Sequence, residues 1–282
     1  MSILKRLFSF YVFSNIHVSI AAFCLVKISL AEHEISDNTI PYFVLISTMV
    51  SYNFIRFYQI NEINKSVSKW MISNKKSLIL LNVVGLMLLV VLTFKIKSTD
   101  VLILIPFVFA TVFYVVPLSK KKKNLRSISS LKLFLIAFSW AGITVMFPLI
   151  HHDIGISTDG WIVFIQRFLI MIALAIPFDI RDFNFDKEEI RTLPQTIGIR
   201  NSKYVGYTVL LLFLALEFLR NSNEQQLIAL FVITIASFFL LVYAKKDQNR
   251  NYTSFWVEAI PIFWYLLIIL FEKYAISLQA MI

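Results

Sequence analysis

The chain has a single cysteine, Cys24, in 282 residues. That excludes an internal disulfide and any metal site built on cysteine. Cys24 falls inside the first apolar run and is expected to be a packed thiol. Phe23 before it is not the small residue that a lipoprotein cleavage site requires. Glycine is also scarce, with six residues, so helices are expected to pack through bulkier side chains and not through GxxxG faces. There is no phosphate-binding glycine loop, dinucleotide fingerprint or internal repeat. Only 16% of residues are charged, against 58% apolar residues and 27 phenylalanines. That balance excludes an ordinary soluble domain.

What the chain has instead is apolar runs of bilayer length. Nine candidate spans lie at about 7–30, 39–59, 78–94, 101–118, 132–150, 161–178, 204–219, 226–243 and 255–272, each long enough for a hydrocarbon core. The whole chain, 1–282, is read as one polytopic membrane domain. Only KIKSTD separates the third and fourth spans, which predicts a tight helical hairpin. Lys5 and Arg6 precede the first run, as in a signal peptide, but no small-residue cleavage pattern follows, so a retained first helix is expected.

With the N-terminus in the cytoplasm, most of the 27 Lys and Arg fall on inner loops, while AEHEISDNT, KIKSTD, HHDIGISTDG and RNSNEQQ lie outside. The positive-inside rule therefore predicts an inner-membrane protein of the bacterial type with its C-terminus outside. It accounts for the net charge of +10 without nucleic acid as a partner. The inner basic residues anchor anionic lipid and also form a funnel for a polyanion.

One inner stretch carries chemistry: PFDIRDFNFDKEEIRTLPQTIGIR, from Pro177 to Arg200. Asp179, Asp182 and Asp186 recur at i, i+3 and i+7, within roughly 60° of one helical face. Three carboxylates on one face repel each other unless a cation joins them, and hard oxygen ligands suit Mg²⁺. The plain alternative is a solvated charge cluster at a membrane exit. DxxDxxxD, then a basic residue and TLP, resembles the second Asp-rich motif of the UbiA superfamily of membrane prenyltransferases. Span count and loop placement resemble that family along the whole chain.

The resemblance implies an all-α bundle of nine transmembrane helices around a central cavity open to the cytoplasm. It implies Mg²⁺–diphosphate bound at Asp179, Asp182 and Asp186, and a prenyl diphosphate whose isoprenyl chain passes to an acceptor that the sequence does not identify. It also places a tyrosine and basic residues after the fourth span, where FYVVPLSKKKKNLR offers Tyr114, Lys120 and Lys121 as diphosphate ligands. The first Asp-rich motif departs from the family. In NFIRFYQIN, Asn53 remains, while Phe54, Phe57 and Asn61 stand in place of three aspartates. Asn53, Arg56 and Asn64 lie within about 80° of one helical face, and a guanidinium binds phosphate in bidentate fashion. A one-metal site is expected, with the aspartates on Mg²⁺, Arg56 and Asn53 on the diphosphate, and Glu62 within reach of the metal.

Other polar residues are read as structural. His17 is a satisfied bundle histidine, Asn15 and Asn82 are interhelical partners, and Glu217 pairs with Arg220. His151, His152 and Asp153 form an exposed loop and not a metal site. Glu258 is an intramembrane acid facing the cavity. Three further readings compete: a terpene cyclase of the same family, a non-catalytic isoprenoid- or lipid-phosphate-binding protein, and a transporter. Against the last, the ionisable residues gather at one face and not at the bilayer midplane.

Overall fold

A computed structural model describes residues 3–60, 65–115, 131–184, 192–220 and 222–279. Among these the chain is all helical: α1 (Ile3–Phe13), α2 (Ile16–Ala31), α3 (Thr39–Tyr58), α4 (Lys65–Ser73), α5 (Lys75–Thr93), α6 (Ser98–Ile103), α7 (Ile105–Val115), α8 (Leu131–Ala141), α9 (Phe147–His151), α10 (Thr158–Arg181), α11 (Leu193–Glu217), α12 (Glu224–Val242) and α13 (Ile260–Gln279). π-helical turns at Gly142–Met146 and Tyr252–Val257 lead into α9 and α13.

The helices pack pairwise into one bundle. α2 packs on α3, α3 on α5, α7 on α8, α8 on α10, α10 on α11, α11 on α12, α12 on α13, and α13 returns to α2. The main core lies where α2, α10, α11, α12 and α13 converge, with Leu25, Ile170, Phe213, Ile233 and Trp264 buried together. The expected hairpin between the third and fourth spans does not form as such. α5 packs on α3 and α7 on α8, and the two scarcely touch. In a membrane the shortness of a connection does not force pairing, because lipid covers an unpaired apolar helix as well as a neighbour does. α5 shows this most plainly: Leu80, Met87, Val90, Val91 and Phe94 are all exposed.

Among the described residues, five helical segments are long and apolar enough to cross a membrane: Lys75–Thr93, Leu133–His151, Thr158–Arg181, Glu224–Val242 and Tyr252–Lys273. A sixth arises if α1 and α2, bent by 55°, form one span. The chain is an integral membrane protein. The other expected spans fall on α3, α6–α7 and α11, which are helical but shorter, interrupted or more polar. α11 starts earlier than its apolar run suggests. TLPQ is a helix start, with Thr192 as cap, Pro194 in the first turn, and Gln195 Oε1 accepting from the Thr192 N–H at 2.9 Å, as in a capping box. Gly198, at φ 82°, breaks the helix one turn later.

Two of the few glycines make room for bulky side chains. A Cβ on Gly142 would lie 2.0 Å from the Phe107 ring, and one on Gly206 would lie 2.2 Å from Leu241. Gly142→Ala should therefore push α7 off α8 and destabilise the protein by about 1–3 kcal/mol, measurable as a lowered unfolding midpoint of the purified protein.

The end of the bundle bearing Asp37 and His151 holds several ion pairs. The three residues read as an exposed loop each turn to a different carboxylate or lysine. His151 Nδ1 bonds Asp100 at 2.7 Å, His152 Nε2 lies 3.5 Å from Asp37, and Asp153 bonds Lys97 at 2.7 Å. His151 is largely buried and not exposed as expected. Asp37 accepts from the backbone N–H groups of Thr39 and Ile40 at 2.8 and 3.0 Å, capping α3. Burial alone would raise its carboxyl, but the amides of Ile40 and Thr39 and nearby His152 hold it below the usual carboxylate range. A depressed folded value contributes stability that is complete above the unfolded value of about 3.9 and is lost as pH falls through the folded one. Asp37→Asn should therefore flatten the loss of stability below about pH 4, as read from unfolding midpoints against pH.

Candidate functional site at the arginine-rich end

The site begins at the break between α1 and α2. Asn15 adopts the left-handed conformation at φ 64°, which asparagine tolerates better than most residues. Its buried amide donates from Nδ2 to Asn53 Oδ1 at 2.8 Å. Asn15 is thus the interhelical partner its position suggested, whereas Asn82 bonds the Leu78 carbonyl of its own helix. Ending α1 leaves carbonyls without helical partners. Arg56, at the end of α3, donates from Nη1 to the Phe13 carbonyl at 3.1 Å. Asn53 and Arg56 therefore lie one turn apart against the same break. Phe54, between them in sequence, is 68% exposed. Ser14 Oγ, Asn15 Oδ1 and Asn53 Nδ2 are buried without hydrogen-bond partners among the described residues.

The second wall is the end of α10. Asp179 is buried in its last turn. Arg181 is the last helical residue and Asp182 the C-cap. The described helix thus ends at the second of the three aspartates expected on one face. At this end Arg181 grips Asp182 in a fork, with Nε to Oδ1 at 2.8 Å and Nη2 to Oδ2 at 2.5 Å. Asn184 then bonds Asp247 across the bundle end. Asp186, Asn61, Glu62, Asn64, Lys120 and Lys121 lie outside the described residues, and of Tyr114 only the backbone, in α7, is described. Among the described residues no three His, Cys, Asp or Glu side chains converge to hold a metal.

The third wall is the π-helical turn before α13, a distortion common at functional sites. Arg181 Nη1 bonds the Thr253 hydroxyl and reaches Ser254 Oγ at 3.5 Å. His17 stacks on Phe255 and bonds its carbonyl at 2.9 Å and Tyr11 Oη at 2.7 Å, the satisfied histidine expected. Arg250 precedes the turn, with its guanidinium 5.9 Å from the Phe13 ring centre. Glu258 follows the turn, and the charges of Arg56, Arg181 and Arg250 all act on it. The structure thus brings together Asn53, Arg56, Asp182 and Glu258. It adds Arg181 and Arg250, which in the sequence read only as inner-loop charges.

The opposite end holds a second polar network. Arg220 bonds Asp159, Glu32 and Glu217 at 2.8, 3.0 and 3.3 Å. Burial alone would lower its guanidinium, but Glu32 first, then Asp159 and Glu217, hold it above its ordinary value. A cavity of about 360 Å³ opens beside it, lined in part by Glu32, Asp159 and Gln226. Arg167, which the sequence reading passed over, is buried in α10. It bonds the Leu25 carbonyl and Ser29 Oγ and lies over Trp264.

No protein-family model and no curated protein matches the chain. A solved structure does, from work on structural and mechanistic insights into the biosynthesis of digeranylgeranylglyceryl phosphate synthase in membranes. It is 17% identical, with a TM-score of 0.57, over 94% of this chain and 98% of that one. The two share a fold, an all-helical bundle.

Proposed function

We propose that the chain is a UbiA-type prenyltransferase. It takes a prenyl diphosphate at the arginine-rich end and passes the isoprenyl chain to an acceptor. The observation that carries this reading is the convergence of Asn53, Arg56, Arg181 and Arg250 at one end of a bundle with that fold. In the proposal that end faces the cytoplasm, the chain crosses the membrane nine times, and the tail lies among the apolar helices. The guanidinium groups neutralise the diphosphate as the C–O bond breaks, which is stabilisation of a leaving group by fixed charge. Asn53 orients it through its amide. Lys120, Lys121 and Tyr114 belong to the same proposal as further head-group ligands.

Mg²⁺ held by Asp179, Asp182 and Asp186 would supply further charge to the leaving group. As placed, Asp182 has both oxygens on Arg181, so the described carboxylates do not fit a divalent cation. Such a site requires Arg181 to release Asp182.

Purified protein given radiolabelled geranyl, farnesyl and geranylgeranyl diphosphate should release pyrophosphate, and Arg56→Ala should sharply lower that release. A cyclic hydrocarbon or alcohol from the diphosphate alone would identify a cyclase. Binding without turnover under any acceptor would identify a non-catalytic isoprenoid-binding protein, a reading favoured by the loss of the first acidic motif.

A further inference from the structure

Three arginines from three separate elements meet at one spot. Arg56 bonds the carbonyl of Phe13, and Arg250 lies against the ring of the same residue. Arg181 arrives from α10 and bonds Thr253, whose hydroxyl donates to the Arg250 carbonyl at 3.2 Å. Their charges are poorly matched by contact. Asp182 bonds Arg181, while Glu258 acts on all three without a hydrogen bond to any of them among the described residues. Arg250 Nε is buried with no partner among the described residues. Burial, then repulsion from Arg181 and Arg56, pulls the Arg250 guanidinium down to about 10, so it stays charged at neutral pH. A single carboxylate does not span three such groups. A phosphate or diphosphate ester does: its several oxygens accept from Arg250 Nε and from the N–H groups that Arg56 and Arg181 have left beyond the Phe13 carbonyl, Asp182 and Thr253.

We infer that Arg56, Arg181 and Arg250 form a guanidinium site that holds a phosphate-ester head group without a divalent cation. The inference rests on the reading that the head group sits at this end. It takes the poor fit of Asp182 to a metal as a property of the site: arginine supplies the charge that Mg²⁺ would otherwise bring to binding.

The test is a titration of the full chain with inorganic pyrophosphate, in nanodiscs of neutral phosphatidylcholine, with excess EDTA or with Mg²⁺. Saturable binding in EDTA is expected, with an affinity within about threefold of the Mg²⁺ value and about tenfold or more weaker in Arg250→Gln. Binding only with Mg²⁺, or EDTA binding that Arg250→Gln leaves unchanged, overturns the inference. If Arg250→Gln does not fold, the EDTA comparison on the unaltered chain decides alone. A second arm repeats the EDTA titration with phosphatidylglycerol in the disc. Weakened pyrophosphate binding then assigns the site to lipid phosphate, and unchanged binding assigns it to soluble diphosphates. Pyrophosphate binding in EDTA without turnover of any prenyl diphosphate would end the transferase reading and leave this one standing. Turnover with strictly Mg²⁺-dependent binding would do the reverse.

Discussion

Arg220→Gln is expected to destabilise the protein by about 3–5 kcal/mol, the usual cost of removing one partner from a buried ion network. The Arg220 side chain is 6% exposed, and Glu32 and Glu217 beside it are 8% and 1% exposed. Without the guanidinium, two buried carboxylates lose their shared cation. Because Glu32 ends α2, Asp159 begins α10 and Glu217 ends α11, the loss would loosen three helices at one end. Arg220→Lys should recover only part of the stability, since an ammonium does not bond three carboxylates and the Gln166 carbonyl oxygen at once. Lys97→Gln is the control. It breaks an equally short pair, with Asp153, but on an exposed surface, where ion pairs contribute little. Thermal unfolding of the three variants reads the difference. Equal midpoints for Arg220→Gln and Lys97→Gln would show that the network does not hold the bundle end.

Arg56→Ala is expected to lower prenyl transfer by about 10²–10³-fold, the range for removing one preorganised donor from a developing negative charge. The effect should fall on kcat as well as KM if the guanidinium follows the leaving diphosphate through bond breaking. Arg56 also caps the Phe13 carbonyl, so the unfolding midpoint is needed beside the kinetics. Arg56→Lys should restore the midpoint less than the charge, because a single ammonium replaces a planar fork. Unchanged kcat/KM in Arg56→Ala, with the fold intact, would remove Arg56 from the head-group site.

Much of the fold was legible because the bilayer demands length and apolarity, and both are visible in a string of residues. Among the described residues each expected span overlaps a helix or a broken pair of helices, and five of the helical segments, six with the bent α1–α2 pair, are long and apolar enough to cross a membrane. What the string did not show is where helices stop for local reasons. The α1–α2 break at Ser14–Asn15 sits inside a run read as one span, with a left-handed asparagine at the break paired with Asn53 across the bundle. The three aspartates looked like one helical face because periodicity assumes a continuing helix. The described helix ends at Arg181, which grips its neighbour Asp182.

Half of the site could be read from residue types. Asn53 and Arg56 stood out because the acids around them were missing, and Glu258 stood out as a lone acid in an apolar run. Arg181 and Arg250 did not, since basic residues at a membrane exit have an adequate explanation in topology alone. Only the π-helical turn at Tyr252–Val257, which no periodicity announces, brings Arg250 and Thr253 to Arg181.

The most direct measurement is a structure of the chain in lipid with a non-hydrolysable prenyl thiodiphosphate. The account predicts the diphosphate between Arg56, Arg181 and Arg250, beside Asn53, with the tail entering the bundle. Head-group density in the cavity beside Arg220, or on the surface away from Phe13, would contradict it.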